Sequence, residues 1–273
     1  MVGVTKLVSV HQWLKLQPED TVKRLFLISA TLAGLLFLGQ IRPALAEEPD
    51  WHLYQQLLDQ HLSHQSEQGI DLTWLDYPAV KADPRFAQLV QQLAEFDPER
   101  LEGRQEQLAF YINAYNILAI NVVVQNWPLQ SIKDASPWYK SVWKIDAGQL
   151  GGERVSLDHV EHQVLRPLGE PRIHFAIVCA SLSCPDLRSE PYSAERLEHQ
   201  LDDQLQQFLA NPTKGLVRNE QGLKVSKIFD WFEEDFGGEA ALTAWLAERL
   251  EAEEQPINGY LEYNWSLNGT TEP

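Results

Sequence analysis

Cysteine is scarce. Only Cys179 and Cys184 occur in 273 residues, which excludes a disulfide scaffold. They stand five apart, a C-x4-C spacing, so no C-x-x-C redox motif is present either. Other signatures are also missing: there are no internal repeats, no phosphate-binding Gly loop and no H-E-x-x-H. Positive charge is short as well. Lys and Arg number 22 against 39 Asp and Glu, a formal charge of −17. No basic stripe offsets this, so nucleic acid and anionic membrane surfaces are poor candidate partners.

What is present argues for a folded core. Apolar residues make up 44% of the chain and aromatics 10%, including nine Trp. No linker-like stretch interrupts Trp51 to Asn268, so one domain is expected over 47–273. Before it, Lys23 and Arg24 precede the apolar run Leu25–Gly39, and Ala44-Leu45-Ala46 supplies the small residues of a cleavage site. This pattern reads as an export signal over 1–46 with Glu47 opening the mature chain, an uncleaved anchor being the alternative. Removing five basic and two acidic residues leaves 17 basic and 37 acidic groups, a charge of −20. Export to a periplasmic or extracellular space would permit a Cys179–Cys184 disulfide.

The periodicities predict an α+β chain. Amphipathic helices are expected over 50–64, over 78–96 with a break near Pro84, over 157–166, 193–209 and 240–250. Leu108–Val124 has no polar face and reads as a central helix buried all round; three Asn and two Tyr argue against a membrane span. Strands are expected at 71–77, 142–145, 154–156 and 259–265, a hairpin at 215–225, and an aromatic helix over 227–236. The result is a single domain whose central helix packs on a small mixed or antiparallel sheet.

Chemistry concentrates at Ile173–Pro185, I-H-F-A-I-V-C-A-S-L-S-C-P. The apolar start reads as a strand buried on both faces, with Ser181, Ser183 and Cys184 in the loop after it. On a strand, His174 points away from Cys179. In helix 157–166, Glu161 falls inside the apolar arc formed by Leu157, Val160, Val164 and Leu165. A carboxylate there is either paired, with Arg154 or Arg172, or serves to tune a neighbouring His. Asn113 and Asn116 share one side of the central helix and either tie loops to the core or donate to an oxyanion.

Five separated blocks resemble one family, the domain of unknown function 547: A-F-Y-I-N-A-Y-N (109–116), S-L-D-H-V-E-H-Q-V-L-R (156–166), R-I-H-F-A-I-V-C-A-S-L-S-C-P (172–185), V-S-K-I-F-D-W-F-E-E-D-F (225–236) and Y-N-W-S-L-N (263–268). The resemblance implies a single α/β domain related to papain-like cysteine-peptidase folds. It carries over Cys179, Glu161, His162, Asn113, Asn116, His174, Ser181 and Cys184 as site positions. One departure stands against the papain analogy: there the nucleophile opens a helix and precedes its His, whereas Cys179 follows His162.

Two function classes follow. In a thiol hydrolase or acyltransferase, Cys179 is the nucleophile, His162 the base with His174 second, Glu161 the tuning carboxylate, and Asn113 or Asn116 the oxyanion donor. Asn116, His174, Ser181 and Cys184 then line the binding site for a small molecule or peptide. In a binding or structural module, Cys179 and Cys184 form a local disulfide. A metal site from His159, Glu161, His162 and a Cys lacks the required spacing, and no cofactor is expected.

Overall fold

The computed structural model describes residues Pro49–Thr270, which fall within one compact unit, Ala46–Pro273. The expected export signal lies outside the described residues. Helix α1 (His52–His61) leads into a hairpin of β1 (Leu62–Glu67) and β2 (Ile70–Leu75). Its two-residue turn places Gln68 and Gly69 at φ of 52° and 78°, the left-handed pair such a hairpin needs. The predicted break near Pro84 separates α2 (Tyr77–Ala82) from α3 (Pro84–Glu95), and Asp76 and Asp83 cap them by accepting from Ala79 N–H and Arg85 N–H.

Helix α4 (Arg104–Asn126) is the spine. It is long and apolar enough to cross a membrane, yet 89% of its most apolar window is buried inside the fold. It packs against α2, α3 and the segment Val160–Leu165. Burial on every side explains why its sequence has no polar face.

The fold is α+β, with its strands divided among three small sheets: the β1–β2 hairpin, a hairpin of β3 (Gly148–Leu150) and β4 (Glu153–Val155), and a mixed sheet. In the last, β5 (Leu216–Asn219) pairs antiparallel with β6 (Gly222–Val225), and β6 pairs parallel with β7 (Ile257–Tyr260). Helices α5 (Leu157–His159), α6 (Ile173–Ala176), α7 (Leu197–Ala210), α8 (Ile228–Trp231) and α9 (Glu239–Arg249) complete the order.

Four local expectations are corrected. Ile173–Cys179 is not a strand: Ile173–Ala176 is one helical turn, with Ile177 N–H donating to Ile173 O, before the chain extends at Ile177. A short buried apolar run has no periodicity that separates strand from helix. The turn is fixed by two cores at once, Ile173 and Ala176 joining the cluster around α4 while Phe175 joins Phe208, Phe229 and Phe236 in a second. Val142–Lys144 is a 3-10 turn rather than a strand. The helix from Leu157 continues with π-helical winding over Val160–Leu165. The aromatic segment splits into α8 and a 3-10 turn at Glu233–Phe236.

Candidate active site

Backbone pairing builds the Cys179 loop. Asn116, on α4, accepts from Val178 N–H at 2.8 Å and donates to Ala176 O at 3.0 Å, imitating a strand neighbour at the exit of α6. The C-terminal tail closes the other side. Leu182 N–H donates to Ser266 O and Asn268 N–H to Ala180 O, while Ser183 Oγ accepts from Asn264 N–H. Between these supports Ala180 sits at φ 55°, a left-handed conformation that costs a non-glycine residue roughly 1–3 kcal/mol. Strain of this kind persists where surrounding bonds over-determine it, and here it aims Cys179 into a pocket.

Donors converge on Cys179. Its Sγ lies 3.1 Å from Tyr263 OH and 3.2 Å from Ser181 Oγ. The Cys184 thiol and Ser181 N–H also bond to it. Burial alone pushes the Cys179 thiol up, but these hydrogen bonds outweigh burial and bring it below its ordinary value. Burial and the neighbouring Cys179 push Cys184 the other way, well above. One thiol of the pair is therefore set to ionise and its partner to donate. Both are free cysteines. Lys133 adds a cation: its Nζ lies 3.4 Å from the Trp265 ring centroid, and its charge is pushed down by burial and partly restored by Cys179.

The pocket beside Cys179 holds about 140 Å³ and also admits Glu161, His162, His174 and Tyr115. Glu161 is not paired with Arg154 or Arg172, the expected partners. Arg154 binds Asp146, and Arg172 binds Glu170, Glu198 and Asp202. Glu161 instead accepts from Tyr115 OH at 3.3 Å. Burial, with help from Cys179 and Asp158, pushes its pKa up to about 7 against the opposing Tyr115 bond and Arg166 charge.

The two histidines differ in which nitrogen is free. His162 Nδ1 lies 3.0 Å from Arg166 Nη1, an obligate donor, so this nitrogen accepts and the proton of the neutral ring sits on Nε2. His174 Nε2 lies 2.7 Å from Asp235 Oδ2 and donates to it, while Nδ1 is buried without a partner. The ring stacks on Phe232 at 3.9 Å between centroids. Burial lowers both imidazoles, so both are neutral at neutral pH; Asp235 opposes this at His174 and Asp158 at His162. Arg166 clamps Asp235 through Nε and Nη2 at 2.6 and 2.8 Å. Burial raises the Asp235 carboxyl, and its bonds to His174 and Arg166 bring it well below the usual carboxylate range. His174 therefore shares the pocket with Cys179, whereas a strand would have turned it away.

Asn113 does not reach the pocket. Its amide is completely buried, donating to Tyr192 O at 2.8 Å and accepting from Tyr192 N–H at 2.9 Å, which ties the Tyr192 backbone to α4 away from the pocket lining. Asn116 is likewise spent on backbone. Sequence reasoning missed Asp235, Tyr263, Tyr115 and Lys133. Three of these, Tyr115, Asp235 and Tyr263, lie in the family-like blocks at 109–116, 225–236 and 263–268, the only signal that pointed to them. Among the described residues no group of three or more His, Cys, Asp and Glu is placed to hold a metal ion.

Residues 98–209 match the family described as "Protein of unknown function, DUF547", which supports a DUF547 domain over that part of the chain. The match contains Cys179, Cys184, Glu161, both pocket histidines, Asn113 and Asn116. No curated protein and no solved structure matches the chain.

Proposed function

We propose that this is an exported, cysteine-dependent hydrolase or acyltransferase. The observation that carries the reading is the convergence of four hydrogen-bond donors on Cys179 Sγ, which stabilises a thiolate without an imidazole partner. The Cys179 thiolate attacks an acyl carbonyl and displaces the leaving group, which takes a proton from Glu161. The thioester then passes its acyl group to water, whose proton His174 accepts at Nδ1, or to another nucleophile. The free Nδ1 and the Asp235 partner favour His174 over His162 as that base. Asn113 and Asn116 hold the scaffold and take no part in the chemistry.

A second reading, a binding or structural module with Cys179 and Cys184 joined, is favoured by the contact between the two thiols. Incubation with activated thioesters, followed by intact-mass and peptide mapping, separates the two. An acyl adduct on Cys179, absent from Cys179→Ala, supports the enzyme. A mass two hydrogens lighter with no adduct supports the module. The same spectrum reads the N-terminus, where export with cleavage predicts Glu47.

A further inference from the structure

We infer that the pocket beside Cys179 receives a neutral apolar group of about the size of a benzene ring, so that the acyl group carried by Cys179 is a short aromatic or branched aliphatic one. This rests on the reading of Cys179 as an acyl-accepting nucleophile. Size comes from the volume. The pocket holds about 140 Å³, and an apolar cavity of about 150 Å³ is filled by benzene. Its walls include Trp143, Ile177, Ile228, Trp231, Phe232 and Trp265. Trp231 is 44% exposed and stacks on Trp265 at 5.6 Å, giving the pocket an aromatic rim at its mouth.

Charge selects against ionic groups. A ligand carboxylate would need an unspent cation, but Arg166 is held through two nitrogens by Asp235 and by a third at His162, and Lys133 lies on the Trp265 face with its charge engaged by Cys179. It would also meet Glu161 on the pocket wall. A ligand cation would need an open aromatic face. The faces of Trp265 and Phe232 already carry the protein's own Lys133 and Arg166, at 3.4 and 5.5 Å, while Trp143, Trp231 and Tyr263 pack against the Trp265 ring. A neutral group enters with neither conflict and leaves apolar walls in contact with apolar atoms.

The test uses phenylacetyl, acetyl and succinyl thioesters of N-acetylcysteamine at pH 7, with acylation of Cys179 followed by intact mass. In each, the new C–S bond to Cys179 forms as the bond to N-acetylcysteamine breaks. The phenylacetyl ester is expected to react at least about tenfold faster than the acetyl ester, the scale set by burying one aromatic ring. The succinyl ester is expected to be the slowest. In parallel, Trp fluorescence follows binding of phenylacetamide, phenylacetate and phenethylamine to Cys179→Ala, and to the wild type if that variant does not fold. Phenylacetamide should bind at least about tenfold tighter than either ion. Equal acylation by all three esters, or tighter binding of an ion, overturns the inference while leaving the nucleophile intact. Selective phenylacetamide binding with no acylation by any ester keeps the apolar site and sinks the nucleophile. Neither binding nor acylation overturns both.

Discussion

Replacing Tyr263 by Phe removes one hydroxyl from the Cys179 sulfur and leaves the ring packing on Trp231 and Trp265, whose centroids lie 4.7 and 4.6 Å away. A hydrogen bond to a charged group contributes roughly 1.5–3 kcal/mol, and one pKa unit is about 1.4 kcal/mol. The Cys179 thiol should therefore titrate roughly one to two units higher in the variant. Below both midpoints the thiolate fraction, and with it the rate of iodoacetamide alkylation, falls about 10- to 100-fold. Above both midpoints the rates converge, or the variant becomes a few-fold faster because a more basic thiolate is the better nucleophile. The assay is the pH–rate profile of Cys179 alkylation read by peptide mass. A variant slowed by the same factor at every pH would mean that Tyr263 governs access rather than charge, and the donor argument would be refuted.

Three further outcomes follow from the same geometry. Asn113→Ala strands the Tyr192 N–H and carbonyl in the core and should cost roughly 2–4 kcal/mol in urea denaturation, with Cys179 alkylation unchanged; slowed alkylation in the folded variant would give Asn113 a place in the site. Glu161 has a folded pKa of about 7 against an ordinary 4.5, so the native state holds a proton that the unfolded chain has released between those values. That stabilising proton is present below pH 4.5 and lost as pH rises through about 7, a change of up to ~3 kcal/mol. Glu161→Gln mimics the protonated form, so it should gain on the wild type between pH 5 and pH 8, and a gap that does not move contradicts the assignment. Asp235→Asn inverts the His174 tautomer and should slow loss of the acyl group from Cys179 by at least about 100-fold while alkylation proceeds at the wild-type rate; unchanged deacylation would remove His174 from the mechanism.

Periodicity carried the architecture wherever elements are long. The buried helix α4 and the Pro84 break are written in apolar spacing and proline chemistry, and the β5–β6 hairpin in its turn residues. The short elements were not legible. Ile173–Ala176 is a helical turn because one core takes Ile173 and Ala176 while a second takes Phe175, information held in Phe208, Phe229 and Phe236 rather than in the segment itself. That one turn is what brings His174 to the pocket of Cys179. The inward face of Glu161 was readable from the helical arc, but its Tyr115 partner, 46 positions earlier, was not. Asp235 and Tyr263 reach the site only through tertiary folding, from a charged segment and from the C-terminal tail, and no local spacing marks either.

The central claim is that Cys179, not Cys184, is the ionised thiol. Treating the folded protein with substoichiometric iodoacetamide at pH 7 under non-reducing conditions, then mapping both cysteines, tests it directly. Cys179 should carry nearly all of the label, because its sulfur is surrounded by donors and partly exposed, whereas Cys184, on the same pocket, is buried with its thiol pushed upward. Equal labelling, preference for Cys184, or a Cys179–Cys184 disulfide that resists mild reduction would contradict it.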